Sequence, residues 1–190
     1  MKTKVTTQEV TVRFGNKSVS MPYKEALNHG YLVLRAGYPK EAKLIFDQLL
    51  NCHKRDRWAR LLKLRAEQQI AHLGVCLDIL DIVTNAVSCN VKGPIAQEFR
   101  QAIALHDVGL VDGAASAVSE VISDYADLPS ACLNLGDMLA FEGCLKEAIA
   151  LLSIAKRRAK RGSPTGTLAR KQIKSLTKRV KKQKKSKGRP

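Results

Sequence analysis

The sequence predicts an all-α chain, a right-handed solenoid of helical hairpins with a short hairpin-like arm at its N-terminus and a basic helix and tail at its C-terminus. Three observations lead there. The 190 residues are 45% apolar but only 5% aromatic, and they are rich in Ala and Leu, a balance that suits packed helices better than strands. One spacing of small, apolar and glycine residues occurs twice, more than a hundred residues apart. The whole net charge of +16 comes from one end of the chain. At this length one compact body with appendages is expected: an arm over 1–20, a helical domain over 21–161 and a basic segment over 162–190.

In the arm, V-T-V-R-F-G-N-K-S-V-S-M alternates apolar and polar residues around Gly15-Asn16, which predicts a small β-hairpin. A lone two-stranded hairpin is marginal in water, so the arm is either disordered or docked on the body or on a partner. Beyond it, helices are expected over 23–35, 39–51, 55–73, 75–88, 94–108, 113–125, 130–142 and 145–160. Pro39 and Pro94 sit near first helical turns, where a missing N–H is harmless.

The repeated spacing organises these helices. From Gly30 the chain places Val33, Gly37, Ala42, Phe46 and Leu49 at successive offsets of 3, 4, 5, 4 and 3. From Gly136 the same offsets reach Leu139, Gly143, Ala148, Leu152 and Ala155. Weaker copies turn at Gly74, with Ile70, Ile79, Val83 and Ala86, and near Asp112-Gly113, with Val108, Ala117 and Val121. A glycine turn lets two amphipathic helices fold back on each other, and small residues let them approach closely. Each pair still exposes an apolar face, which stacking of neighbouring pairs would bury.

The stretches A-G-Y-P-K-E-A-K-L-I-F and F-E-G-C-L-K-E-A-I-A-L-L carry a resemblance to the tetratricopeptide repeat, here about four degenerate copies over 21–160. The resemblance implies a non-catalytic adaptor or chaperone-like scaffold that holds a peptide or helix in a groove lined by the first helices of successive repeats. Mapped onto this chain, that groove would be Tyr31, Arg35, Gln68, His72, Asp137 and Phe141. Aromatic rings among polar residues suit such a groove, because they offer large contact area at low entropic cost. Small bacterial secretion chaperones are similar in size and repeat number, and the long basic tail departs from them.

Charge is distributed in blocks. Residues 1–65 hold 14 basic against 5 acidic side chains, residues 66–147 hold 3 against 12, and the last 43 residues carry 16 Lys and Arg with no acid. The tail is expected to bring Leu168, Ile173, Leu176 and Val180 onto one face of a final helix that shields the last repeat, followed by a disordered K-K-Q-K-K-S-K-G-R-P. Its cations make it an electrostatic anchor for RNA, DNA or another polyanion. The alternative function is accordingly an RNA- or ribosome-associated factor. It would use Arg55, Arg57, Arg60 and Lys63 together with Lys171, Lys174, Lys178, Arg179, Lys181, Lys182, Lys184 and Lys185. No aromatic residue follows Phe141, so base stacking is not expected there. Self-association between the acidic middle and the basic ends is a further possibility.

No motif for catalysis emerges: there is no phosphate-cradling glycine loop, C-x-x-C, H-E-x-x-H or glycine-flanked serine. His29, His53, His72 and His106 are scattered, and no metal or cofactor is expected. Five widely spaced cysteines read as free thiols in a reducing compartment. No uninterrupted apolar run approaches about 18 residues and the start lacks an apolar signal core, so the expectation is a cytoplasmic protein, or a nuclear one, without integral membrane contact.

Overall fold

The computed structural model of the chain describes residues 9–14, 17–89, 91 and 93–187. It is mostly helical, with one small antiparallel sheet. The described residues form β1 (Glu9–Phe14), β2 (Lys17–Pro22), α1 (Tyr23–Arg35), α2 (Pro39–Cys52), α3 (Arg57–Ser88), α4 (Pro94–Glu98), α5 (Arg100–Asp107), α6 (Val111–Ser123), α7 (Leu128–Phe141), α8 (Leu145–Arg158) and α9 (Pro164–Lys187). They divide into two compact units, residues 1–72 and 73–190, with the division inside α3.

In the first unit the arm is a docked hairpin. Its register pairs Glu9 with Pro22 and Phe14 with Lys17, and Gly15-Asn16 lies outside the described residues. Val10 and Val12 of β1 are buried with Ala26, Leu34, Ile45, Phe46 and Leu49, and the Arg13 N–H donates to Gln48 Oε1 at 2.7 Å. Packing on α2 thus supplies what an isolated hairpin lacks. The start of α3 is fixed in three ways. Asp56 caps it, accepting the Ala59 N–H at 2.9 Å. The Tyr23 hydroxyl donates to the other Asp56 oxygen at 2.7 Å, and Lys63 Nζ lies 2.6 Å from Asp47 on α2. Asp56 is held below its ordinary pKa: burial pushes it up, but the Ala59 N–H and the Tyr23 hydroxyl outweigh that. Burial and the same carboxylate raise the Tyr23 phenol.

The second unit has its own core, in which Cys76, Ile79, Leu80, Val83 and Ala86 of α3 pack with Phe99, Val118, Leu135, Leu139, Leu151 and Leu152. Here α8 packs along both α7 and α9. Buried Ala169 and Leu176, with half-buried Ile173 and Val180, form the inner face of α9; Ile173, Leu176 and Val180 lie there as expected, whereas Leu168 is 45% exposed and Ala169 takes its place. The helix runs on to Lys187, through most of the stretch expected to be disordered.

Three helical hairpins, α1–α2, α5–α6 and α7–α8, are closed by the same turn. Gly37, Gly109 and Gly143 have φ of 87°, 80° and 87°, a left-handed conformation that glycine alone adopts without a Cβ penalty. The next N–H then reaches back five residues, from Tyr38 to Val33, Leu110 to Leu105 and Cys144 to Leu139. At Gly30 an added Cβ would lie 2.7 Å from the Phe46 ring, and at Gly136 2.9 Å from Leu152, so the small residue is what admits the second helix.

Four expectations are corrected. The helices expected over 55–73 and 75–88 are one helix, and Gly74 lies inside it with open space where a Cβ would stand. The third turn is at Gly109, whereas Gly113 lies within α6. The helix expected over 94–108 breaks at buried Phe99 into α4 and α5. Finally, α3 is by length and composition alone apolar enough to cross a membrane. Asp78 and Asp81 interrupt its apolar run and so concealed it from a count of unbroken residues.

Candidate interaction surfaces

Burial accounts for most apolar side chains, so those left exposed in groups mark candidate sites. The clearest group lies on the first turns of α3. Trp58, Leu61 and Leu64 are 67%, 54% and 52% exposed, and with Arg57 and Arg60 they line a concavity of about 670 Å³. Their spacing of three follows from the helix period, because Ala59 and Ala66 occupy the buried side. The tryptophan therefore faces outward because the helix is anchored by small residues on its other face. Arg60 also donates to the Lys54 carbonyl, which braces the loop before α3.

The residues of the expected groove are shared between the two units. Tyr31, Arg35, Gln68 and His72 belong to the first unit, and Asp137 and Phe141 to the second. In the first unit Tyr31 and Arg35 do come together, with the guanidinium 6.0 Å from the ring centroid, and they share a concavity of about 170 Å³ with Leu34, Arg65 and Gln69. Gln68 is exposed and His72 half-buried. In the second unit Asp137 accepts a hydrogen bond from Gln172 Nε2 of α9 at 2.9 Å, so its carboxylate is engaged within the fold. Phe141 is 92% exposed at the end of α7.

The expected polyanion set also divides. Arg55 and Arg57 are exposed. Lys63 is instead spent on Asp47, with Glu67 at 3.9 Å, and this pairing raises its pKa. Arg170, Lys171, Lys174, Lys178, Arg179, Lys181 and Lys182 of α9 are all exposed. Lys184 and Lys185 fall in the same helix, but their side chains lie outside the described residues. Ion pairs of the described residues involve none of the α9 cations.

Among the described residues no three His, Cys, Asp or Glu side chains come together as a metal site. Among the described residues no cysteine forms a disulfide. Cys76 and Cys132 are buried, and desolvation pushes their thiols up to about 11 and about 12. Cys52 and Cys89 are exposed instead.

The Trp58 surface was missed by the sequence reading, which treated 54–65 as a run of charge. Its signal was there as Trp58, Leu61 and Leu64 at successive offsets of three, opposite Ala59, Ala66 and the alternation of charges. No known protein family, curated protein or solved structure matches the chain.

Proposed function

We propose that this is a non-catalytic interaction protein: an adaptor or chaperone-like scaffold that holds a protein segment on its helical hairpins and adds an electrostatic contact through α9. The hairpins are read as degenerate tetratricopeptide-like repeats, those of the second unit stacking as in a right-handed solenoid. The common turn at Gly37, Gly109 and Gly143 supports this reading, as does the 34-residue step between the last two. So does the shared small residue seven positions before each turn: Gly30, Ala102 and Gly136.

The observation that carries the binding function is the Trp58 concavity. Trp and Arg are the side chains most often responsible for binding energy at protein interfaces, where a desolvated aromatic anchor is rimmed by polar groups. Here Trp58, Leu61 and Leu64 form the apolar centre, with Arg57 and Arg60 beside it. The chemistry suits a segment with apolar anchors and acidic neighbours. A polyphosphate would leave the tryptophan and both leucines exposed.

The test is photocrosslinking in the native host from a benzophenone amino acid placed at position 58 or 61, with position 168 as an exposed apolar control. A discrete protein adduct from 58 and 61, lost with Arg57→Glu and absent from 168, is the expected result. Adducts indistinguishable among the three positions would overturn the reading.

A further inference from the structure

We propose that the outer face of α9 binds the phosphate backbone of a nucleic-acid duplex without reading its sequence. This names the polyanion for the electrostatic contact above and rests on that part of the reading alone, independently of the Trp58 surface.

The argument begins with what α9 has already used. Ala169, Ile173, Leu176 and Val180 recur every three or four residues and pack into the second unit's core. The opposite side therefore presents Arg170, Lys171, Lys174, Lys178, Lys181 and Lys182 to solvent. Rows four residues apart, such as 170, 174, 178 and 182, place successive cations about 6 Å apart along a helix rising about 1.5 Å per residue. The 24 residues of α9 span about 36 Å, close to the roughly 34 Å of one duplex turn. There is no acid anywhere after Glu147 to neutralise them. At the neighbouring end of α8, Lys156, Arg157 and Arg158 are exposed as well.

Other polyanions fit less well. A helix that binds a lipid surface buries an apolar face in it, and the apolar face of α9 is occupied by its own fold. Single strands are held largely by stacking on aromatic rings, and α9 has none. Protein interfaces are depleted in lysine and centred on apolar or aromatic groups, which this face lacks. A duplex backbone needs only an array of cations, and binding by release of its counterions supplies affinity without base contacts.

The experiment measures binding of the full chain to a fluorescent 24-base-pair duplex of mixed sequence at about 50 and 200 mM salt. Six phosphate contacts predict a loss of affinity on the order of 10³-fold between those concentrations. The triple variant Lys171→Gln, Lys174→Gln, Lys178→Gln should lower the slope of log affinity against log salt by about 3. Lys→Arg at the same positions should preserve the slope, and so should Arg55→Gln with Arg57→Gln. Failure of the full chain to bind, an unchanged slope in the triple glutamine variant, or an equal fall in the Arg55/Arg57 variant would overturn the proposal. So would binding to phosphatidylserine-containing vesicles that the duplex does not displace. Loss of the position-61 crosslink with Trp58→Ala, at an unchanged salt slope, would concern the adaptor reading alone.

Discussion

Gly74→Ala separates a continuous α3 from a turn at residue 74 by the sign of its effect. In a helix interior Ala is favoured over Gly by about 1 kcal/mol, mainly because Gly has more backbone freedom to lose on folding. A Cβ at Gly74 meets no atom within 4 Å, so packing adds neither a gain nor a clash. The substitution should therefore stabilise by about 0.5–1 kcal/mol. Gly143→Ala is the internal comparison: its added Cβ also meets nothing, but φ is 87°. A left-handed conformation costs an L-residue about 1–2 kcal/mol, so that variant should be destabilised. Urea unfolding followed by circular dichroism gives the two signs. Hydrogen exchange of the α3 amides around residue 74 gives the local value, which matters because two compact units need not unfold together. A destabilised Gly74→Ala would refute the continuous helix and restore the turn.

The remaining expectations concern particular groups. Asp56→Ala removes the α3 cap and the acceptor for Tyr23, and should cost about 1 kcal/mol or more in urea unfolding. Because its folded pKa is lowered, the contribution of Asp56 is present above its unfolded value of about 3.9 and lost as pH falls through the folded value. Acid titration of stability should therefore be shallower in Asp56→Asn than in the unmodified chain. Val12→Ala, at a fully buried position on β1, should destabilise the first unit by about 2 kcal/mol. Val19→Ala on exposed β2 should change stability by less than about 0.5 kcal/mol, and equal effects would mean that the hairpin is not docked. With an aromatic disulfide reagent, Cys52 and Cys89 should react in the folded protein, whereas Cys76 and Cys132 should react only on unfolding; four equally fast thiols would contradict their burial.

Helix positions were legible in the sequence wherever an end carried its own chemistry. The left-handed glycines at 37 and 143 stop α1 and α7, and Pro39 starts α2 as expected. The carboxylate of Asp127 moves the start of α7 to Leu128, two residues before the expected 130, by accepting the Ser130 N–H at 2.8 Å. The interaction surfaces were less legible because exposure is a tertiary property. Lys63 and Arg57 are both cations in one basic run, and only the approach of Asp47 on α2 ties up the first and leaves the second exposed. Likewise, nothing local to Asp137 announces Gln172, 35 residues away.

The missing turn at Gly74 and the displaced turn at Gly109 show which part of the repeated spacing carries information. After Gly74 the offsets of 5, 9 and 12 fall on Ile79, Val83 and Ala86, all fully buried, yet no turn is present. Offsets separated by four and then three residues are simply one face of any amphipathic helix, so the second half of the template is satisfied without a hairpin. The discriminating half lies before the glycine. Seven residues before Gly74 stands Glu67, half-exposed near Lys63, where a hairpin needs a small residue to admit its second helix. Seven residues before Gly109 stands buried Ala102, with Leu105 four before it and Ala114, Val118 and Val121 after it, so every offset is met once the register moves back from Gly113. Close approach of two backbones demands a missing side chain on the first helix. A scan that weighted that position above the downstream apolar ones would have rejected 74 and chosen 109 from the residues alone.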